Sequence, residues 1–197
     1  MDAEIGRIRG REPVPSLLLH SCCGPCSTAV IAELAAAFRI TVFYYNPNID
    51  TAEEYDHRAA EQRRVLTLME LPNPVGYLDE GHRPDDFLAE AASLADEPEG
   101  GARCSVCFRV RLERTALRAR ELGFEWFCST LTVSPHKDAP RINATGLAVA
   151  DRAGVKWLPS DFKKRDGYRR SIELSREFGL YRQDYCGCVW SRRARPE

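Results

Sequence analysis

The chain has 197 residues, 44% hydrophobic and 29% charged, with a formal net charge of −1. It is long enough for one domain with a proper core, or one domain with an insertion. No apolar stretch is long and unbroken enough to span a bilayer, and MDAEIGRIRGREPVP lacks the apolar centre of a secretory signal; no membrane partner and a cytoplasmic location are expected.

SLLLH at 16–20 and ITVFYY at 40–45 are short β-rich runs flanking a helix-period segment at 28–38, a βαβ opening. A helix is predicted over 51–68, with acidic residues in its first turn. A short strand is predicted at 75–78, a helix over 85–94, and a loop through ADEPEGGAR. A long amphipathic helix over 106–122 stops at Gly123. EWFCS at 125–129 reads as a strand, 139–153 as a helix ended by Gly154, VKWLPS as a strand, and 168–178 as a helix stopped by Gly179. This alternation predicts a three-layer α/β fold with a mainly parallel sheet.

In such sheets ligands bind beyond the carboxyl ends of the strands. The polar clusters fall there: HSCCGPCS, NPNID, STLTVSPHKD and PSDFKKRD each follow a predicted strand. Charge is unevenly spread, acidic over 79–99 and basic over 103–120 and 163–170, so one basic face is possible in a nearly neutral chain.

Eight cysteines are many for a reducing compartment, where metal ligation or redox chemistry is the better prior than a disulfide framework. Seven fall in three groups: Cys22, Cys23 and Cys26; Cys104 and Cys107; Cys186 and Cys188. A thioredoxin-like pair explains only the C-G-P-C of Cys23 and Cys26, and adjacent cysteines are poor disulfide partners. Seven thiols exceed one structural zinc site, whereas an iron–sulfur cluster takes three or four and leaves the rest for a separate ion. Cys128, inside a predicted strand, reads as a small buried hydrophobe.

The motifs LLLHSCCGPCS, YYNPNID, C-x-x-C-F, STLTVSPHKD and DFKKRDGY…GLYRQDYCGC run in order from about Ser16 to Trp190. Together they resemble the cobalamin-independent epoxyqueuosine reductases, the QueH family. The resemblance implies one reductase domain, with 1–15 as an N-terminal extension and 191–197 as a tail, in a Rossmann-like (HUP-type) fold. It implies two-electron reduction of the epoxide of epoxyqueuosine at the wobble position of tRNA. A [4Fe–4S] cluster and a second mononuclear ion of iron type go with it; because such a cluster cycles one electron at a time, the second electron is expected from an external electron-donor protein or through the adjacent metal.

On that chemistry all seven grouped thiols are expected ligands: Cys22, Cys104, Cys107 and Cys188 on the cluster, and Cys23, Cys26 and Cys186 on the ion. Asp184, Tyr185, His20 and His136 are the candidate proton donors. His136 and Lys137, before a predicted helix, suit an anion. KKRDGYRR offers Lys163, Lys164, Arg165, Arg169 and Arg170 around Tyr168 for RNA contact. Tyr44, Tyr45, Asn46 and Asn48 are expected to take an unstacked base. Arg109, Arg111, Arg114, Arg118 and Arg120 are expected to be largely a solvated face with Glu113 and Glu121. Two other readings follow from the same residues. One is a zinc module that binds RNA or protein without catalysis. The other is an ATP-dependent PP-loop enzyme, disfavoured because HSCCGPCS is not a glycine- and serine-rich phosphate loop.

Overall fold

The computed structural model describes residues 1–193; residues 194–197 of the expected tail lie outside the described residues. Five strands form one parallel sheet: β1 (Ser16–Ser21), β2 (Arg39–Tyr44), β3 (Gly76–Asp79), β4 (Trp126–Ser129) and β5 (Lys156–Trp157), in the order β3-β2-β1-β4-β5. β1 is central and buried along its whole length, which is why it reads as a continuous apolar run rather than an alternation. Leu17, Leu18 and Leu19 are completely enclosed, and truncating any one to alanine would cost about 2–5 kcal/mol.

The helices are α1 (Asp2–Ile8), α2 (Gly24–Leu34), α3 (Ala52–Leu68), α4 (Asp85–Ala91), α5 (Ala102–Glu121), α6 (Ala139–Ala153), α7 (Gly167–Glu177) and α8 (Val189–Arg193). α2 packs against α3 and α7, while α5 packs against α4 and α6. The two groups pack separately, as helices on the two faces of a parallel sheet do, giving the expected three layers. Thr51 caps α3 through Glu54 N–H at 3.2 Å, and Asp138 caps α6 through Arg141 N–H at 3.0 Å.

Three boundaries move in ways that matter. α2 starts at Gly24, not 28, because Pro25 falls at the first turn, where no N–H is needed; Cys23 is then its N-cap and Cys26 lies inside the helix. α5 starts at Ala102, not 106, which places Cys104 and Cys107 one turn apart on its first two turns. The N-terminal extension contains α1, whose Ile5 and Ile8 face the core at helical spacing.

Strand order runs β1 to β3 in one direction and β1 to β5 in the other. The reversal lies between β1 and β4, where His20 is the register partner of Ser129. Beyond that point the chain opens into Cys22 on one side and Thr130 on the other, joined by Cys22 N–H to Thr130 Oγ1 at 3.2 Å.

Candidate metal centre

The first three thiols crowd together at the switch point. The sulfurs of Cys22, Cys23 and Cys26 all lie within 4.8 Å of one another, the only such group of three His, Cys, Asp or Glu ligand atoms among the described residues. Cys22 Sγ and Cys23 Sγ are 3.9 Å apart. A single tetrahedral ion with bonds of about 2.3 Å to sulfur requires edges of about 3.8 Å, so this spacing suits one metal ion. Cys22 arrives from the end of β1, Cys23 caps α2, and Cys26 comes one turn later from the helix. Gly24 is required between them: a Cβ there would lie 3.0 Å from Glu61 O on α3.

Proximity also decides how these thiols ionise. Cys22 is drawn well down by hydrogen bonds from Cys23 and Cys26, and Lys137 and Arg111 add to this. Cys23 is pushed up to about 11, and Cys26 is pushed well up, because each would ionise beside the Cys22 thiolate. The Cys22 sulfur accepts from Thr130 Oγ1 at 3.4 Å. Gln183 hydrogen-bonds to Cys23 and opposes the upward shift.

The other four thiols line one recess together with Asn48, Phe87 and Arg103. Cys104 and Cys107 come from α5, and Cys186 and Cys188 from the loop before α8. Gly100 N–H donates to Cys104 Sγ at 3.2 Å, Ser191 N–H to Cys188 Sγ at 3.4 Å, and Arg111 Nη1 to Cys107 Sγ at 3.7 Å. Donors aimed at sulfur are the surroundings a bound thiolate needs. Burial pushes the Cys107 thiol up to about 12 against the pull of Arg111. Asn48 Oδ1 is buried without a hydrogen-bond partner on the wall of this recess. Four sulfurs around a common space, wider than the first group and supplied with donors, fit a polynuclear cluster.

The C-G-C loop is held by two side chains from distant parts of the chain. Arg58 Nη1 donates to Cys186 O at 3.3 Å and Asn48 Nδ2 donates to the same carbonyl at 3.4 Å. Asp50 N–H donates to Gly187 O at 3.0 Å. Arg58 is itself anchored to Glu54 at 2.6 Å and lies over the Tyr185 ring, 4.9 Å from its centre. Gly187 has φ +118, and a Cβ there would lie 3.1–3.2 Å from Arg58, Ile49 and Asn48. Trp190 on α8 packs edge-on to Phe87 and under Arg103, closing the apolar side of the recess.

Of the candidate proton donors, Asp184 is exposed and Tyr185 half-buried, on the segment that leads to Cys186. Burial raises the Tyr185 phenol. His136 is exposed beside Lys137. His20 is fully enclosed, its ring 2.8 Å from Ser129 Oγ and 3.2 Å from Arg111 Nε. Lys137 is half-buried, and its ammonium is held charged by Cys186, Cys22 and Cys26.

The expected base-binding residues separate. Tyr44 is buried, Tyr45 donates its hydroxyl to Asp86 at 2.8 Å, and Asn46 is enclosed between Ser21 O and Arg111. Only Asn48 faces the thiol recess. The basic run is likewise divided. Lys163 pairs with Asp161 at 2.7 Å, Lys164 lies 3.9 Å from the same carboxylate, and Arg169 pairs with Asp166 at 2.9 Å. Arg165 binds Asp2 at 2.9 Å and Glu33 at 2.7 Å. Glu33 stands near the end of α2 away from Gly24, roughly 10 Å along the helix axis from Cys26, so Arg165 is held at the far end of that helix from the thiols. Tyr168 packs on the core.

Arg109, Arg114 and Arg118 pair with Glu90, Glu113, Glu80 and Glu121 as a solvated face would, and Arg120 is exposed. Arg111 is the exception: it turns inward and is 2% exposed. Sequence reasoning placed Arg111 on that outer face and did not single out Arg58, Gln183 or Thr130. Arg111 carried a signal in its spacing, four residues after Cys107 and hence on the same side of a helix. Cys128 is enclosed within β4, as expected, and burial alone raises its thiol.

A family model described as epoxyqueuosine reductase QueH matches residues 17–194. A protein named epoxyqueuosine reductase QueH from Streptococcus pyogenes is 43% identical over 191 residues, covering 95% of this chain and 75% of the relative. One of the same name from Staphylococcus epidermidis is 43% identical over 90% of this chain and 76% of its own length. Another, from Thermotoga maritima, is 37% identical over 92% of this chain and 93% of its own.

Proposed function

This chain belongs to the epoxyqueuosine reductase QueH family of oxidoreductases, which act at the last step of queuosine biosynthesis, and we propose that it does so at the wobble nucleoside of tRNA with a [4Fe–4S] cluster and a second, iron-type ion. The observation that carries this reading is the sorting of seven thiols into two sets with different spacing. Cys104, Cys107, Cys186 and Cys188 would hold the cluster. Cys22, Cys23 and Cys26 would hold the ion and leave a fourth position for substrate. This division follows the grouping of the sulfurs and differs from the expected one at Cys22 and Cys186.

The reaction breaks both C–O bonds of the epoxide, forms a carbon–carbon double bond, and releases the oxygen as water after uptake of two electrons and two protons. When bound, the two centres supply one-electron transfer from an external donor protein and a Lewis acid for the oxygen. The chain's own residues do the remaining work. Lys137, Arg111 and Arg58 surround the thiolates with positive charge. Phe87 and Trp190 keep water from the cluster side of the recess. Asp184, Tyr185 and His136, none of them enclosed and each on or beside a segment that carries a thiol or Lys137, are our candidates for proton delivery, whereas the enclosed ring of His20 serves to position its neighbours. No helix among the described residues is long and apolar enough to cross a membrane.

The test is metal and acid-labile sulfide content on protein purified without oxygen, with absorption spectra before and after a strong reductant. Near-equal iron and sulfide with a small excess of iron, and colour that bleaches on reduction, is the expected result. A colourless protein carrying only zinc, unchanged after attempted cluster reconstitution, would overturn the reading in favour of a non-catalytic zinc module.

A further inference from the structure

Arg111 is the largest unexplained charge in the interior. Its guanidinium is almost wholly enclosed, and among the described residues no carboxylate pairs with it. Its donors go instead to three neutral or thiol groups: Nε to His20 Nε2 at 3.2 Å, Nη1 to Cys107 Sγ at 3.7 Å, and Nη2 to Asn46 Oδ1. The charges that stabilise it are the sulfurs of Cys107, Cys22 and Cys186. A buried cation without a counter-charge costs several kcal/mol. Arginine does not escape that cost by deprotonating. Something anionic must therefore stand beside it in the working protein, and among the described residues the sulfurs of Cys107, Cys22 and Cys186 are the groups that supply negative charge there once metal-bound.

We propose that Arg111 is the internal counter-cation of the thiolate-held centres, touching the four-thiol set through Cys107 and facing the three-thiol set through Cys22, and that its charge raises the reduction potential of the cluster. This rests on the cluster reading above. Adding an electron makes the centre more negative, and a fixed positive charge in a low-dielectric interior favours the more negative state. His20 and Asn46 hold the guanidinium in place. They do so through a ring nitrogen and an amide oxygen, neither of which brings a negative charge that would cancel it. Arg111 is in this sense a positioning residue.

The decisive experiment compares wild-type, R111K and R111Q proteins after anaerobic reconstitution, reading iron and sulfide content and the midpoint potential by a redox titration followed optically. R111Q is expected to take up full iron with a midpoint more negative than wild type; R111K, which keeps the charge and loses the fork, stays close to wild type. A wild-type protein that takes up no iron or sulfide overturns the cluster reading itself, and is seen before any variant is compared. An unchanged midpoint in fully loaded R111Q overturns the assignment, as does R111K shifted as far as R111Q. Loss of iron from R111Q alone, with R111K loaded normally, supports the counter-charge through uptake. Loss of iron or of folding in both makes Arg111 part of the scaffold and overturns it.

Discussion

His20 Nδ1 and Ser129 Oγ stand 2.8 Å apart, bridging β1 and β4 at the boundary where strand order reverses. Burial, and then Arg111, lower the His20 pKa to about 3, so the ring is neutral. Tyr45 O also lies 3.1 Å from Nε2, but the guanidinium approaching the same nitrogen needs its lone pair. The proton is accordingly assigned to Nδ1, which donates to Ser129. One imidazole thus locks the two strands and orients the arginine between the thiol sets.

Serine substitutions separate the two sets. Cys104→Ser, Cys107→Ser, Cys186→Ser and Cys188→Ser are each expected to lower iron and sulfide together. Cys22→Ser, Cys23→Ser and Cys26→Ser are expected to lower metal in excess of sulfide and spare the sulfide. Metal and sulfide per chain read this directly; loss of sulfide in Cys26→Ser would reassign that thiol to the cluster.

Gly187→Ala tests the clasp on the C-G-C loop. A side chain at φ +118 is strained, and its methyl would press on Arg58, Ile49 and Asn48. A cost on the order of 2 kcal/mol is expected, with cluster content falling to half or less. Gly6→Ala is the control: that glycine lies in α1 with nothing within 4 Å of its Cβ position, so the melting temperature should hold or rise slightly.

Cys128 should be chemically silent. The thiolate is the reactive form, and burial in β4 disfavours it. Alkylation of native, chelator-treated protein is expected to modify the partly exposed cysteines, Cys22 foremost, and reach Cys128 only after denaturant is added. Mass spectrometry of the peptides decides, and early labelling of Cys128 would show that β4 opens readily.

Arg165 and Lys137 should differ sharply although both come from basic motifs. Arg165 already satisfies two carboxylates away from the thiols, so Arg165→Ala is expected to change tRNA affinity less than twofold and leave its salt dependence intact. Lys137→Ala removes the ammonium that faces Cys22, Cys26 and Cys186. It is expected to lower kcat/KM at least tenfold, about 1.4 kcal/mol in the transition state. Equal effects from the two would overturn the distinction.

What could be read beforehand was whatever depends on neighbours along the chain. The apolar run 16–19 announced the first strand of a βαβ opening, and C-x-x-C before a long amphipathic run placed two thiols at a helix start. Cys128 was legible because its strand is apolar around it. Charge runs were less informative, since their meaning lies in distant partners: nothing near Arg165 indicates Asp2, 163 positions away. The same holds for Gln183 on Cys23 and Arg58 on Cys186. The grouping of thiols depended on which loops meet beyond the sheet, and spacing within each motif carries no information on that.

The four-thiol recess has a consequence for the order of events at the ribosome. Cys107 and Cys186 are separated by 79 positions, which at 5–20 residues per second is roughly 4–16 s of synthesis. Throughout that interval Cys104 and Cys107 have emerged, or are emerging, without the thiols that complete their set. Until Cys186 and Cys188 follow, a nascent chain has no complete four-thiol set. A chain cut short before Cys186 would present Cys104 and Cys107 without the other two thiols of the recess.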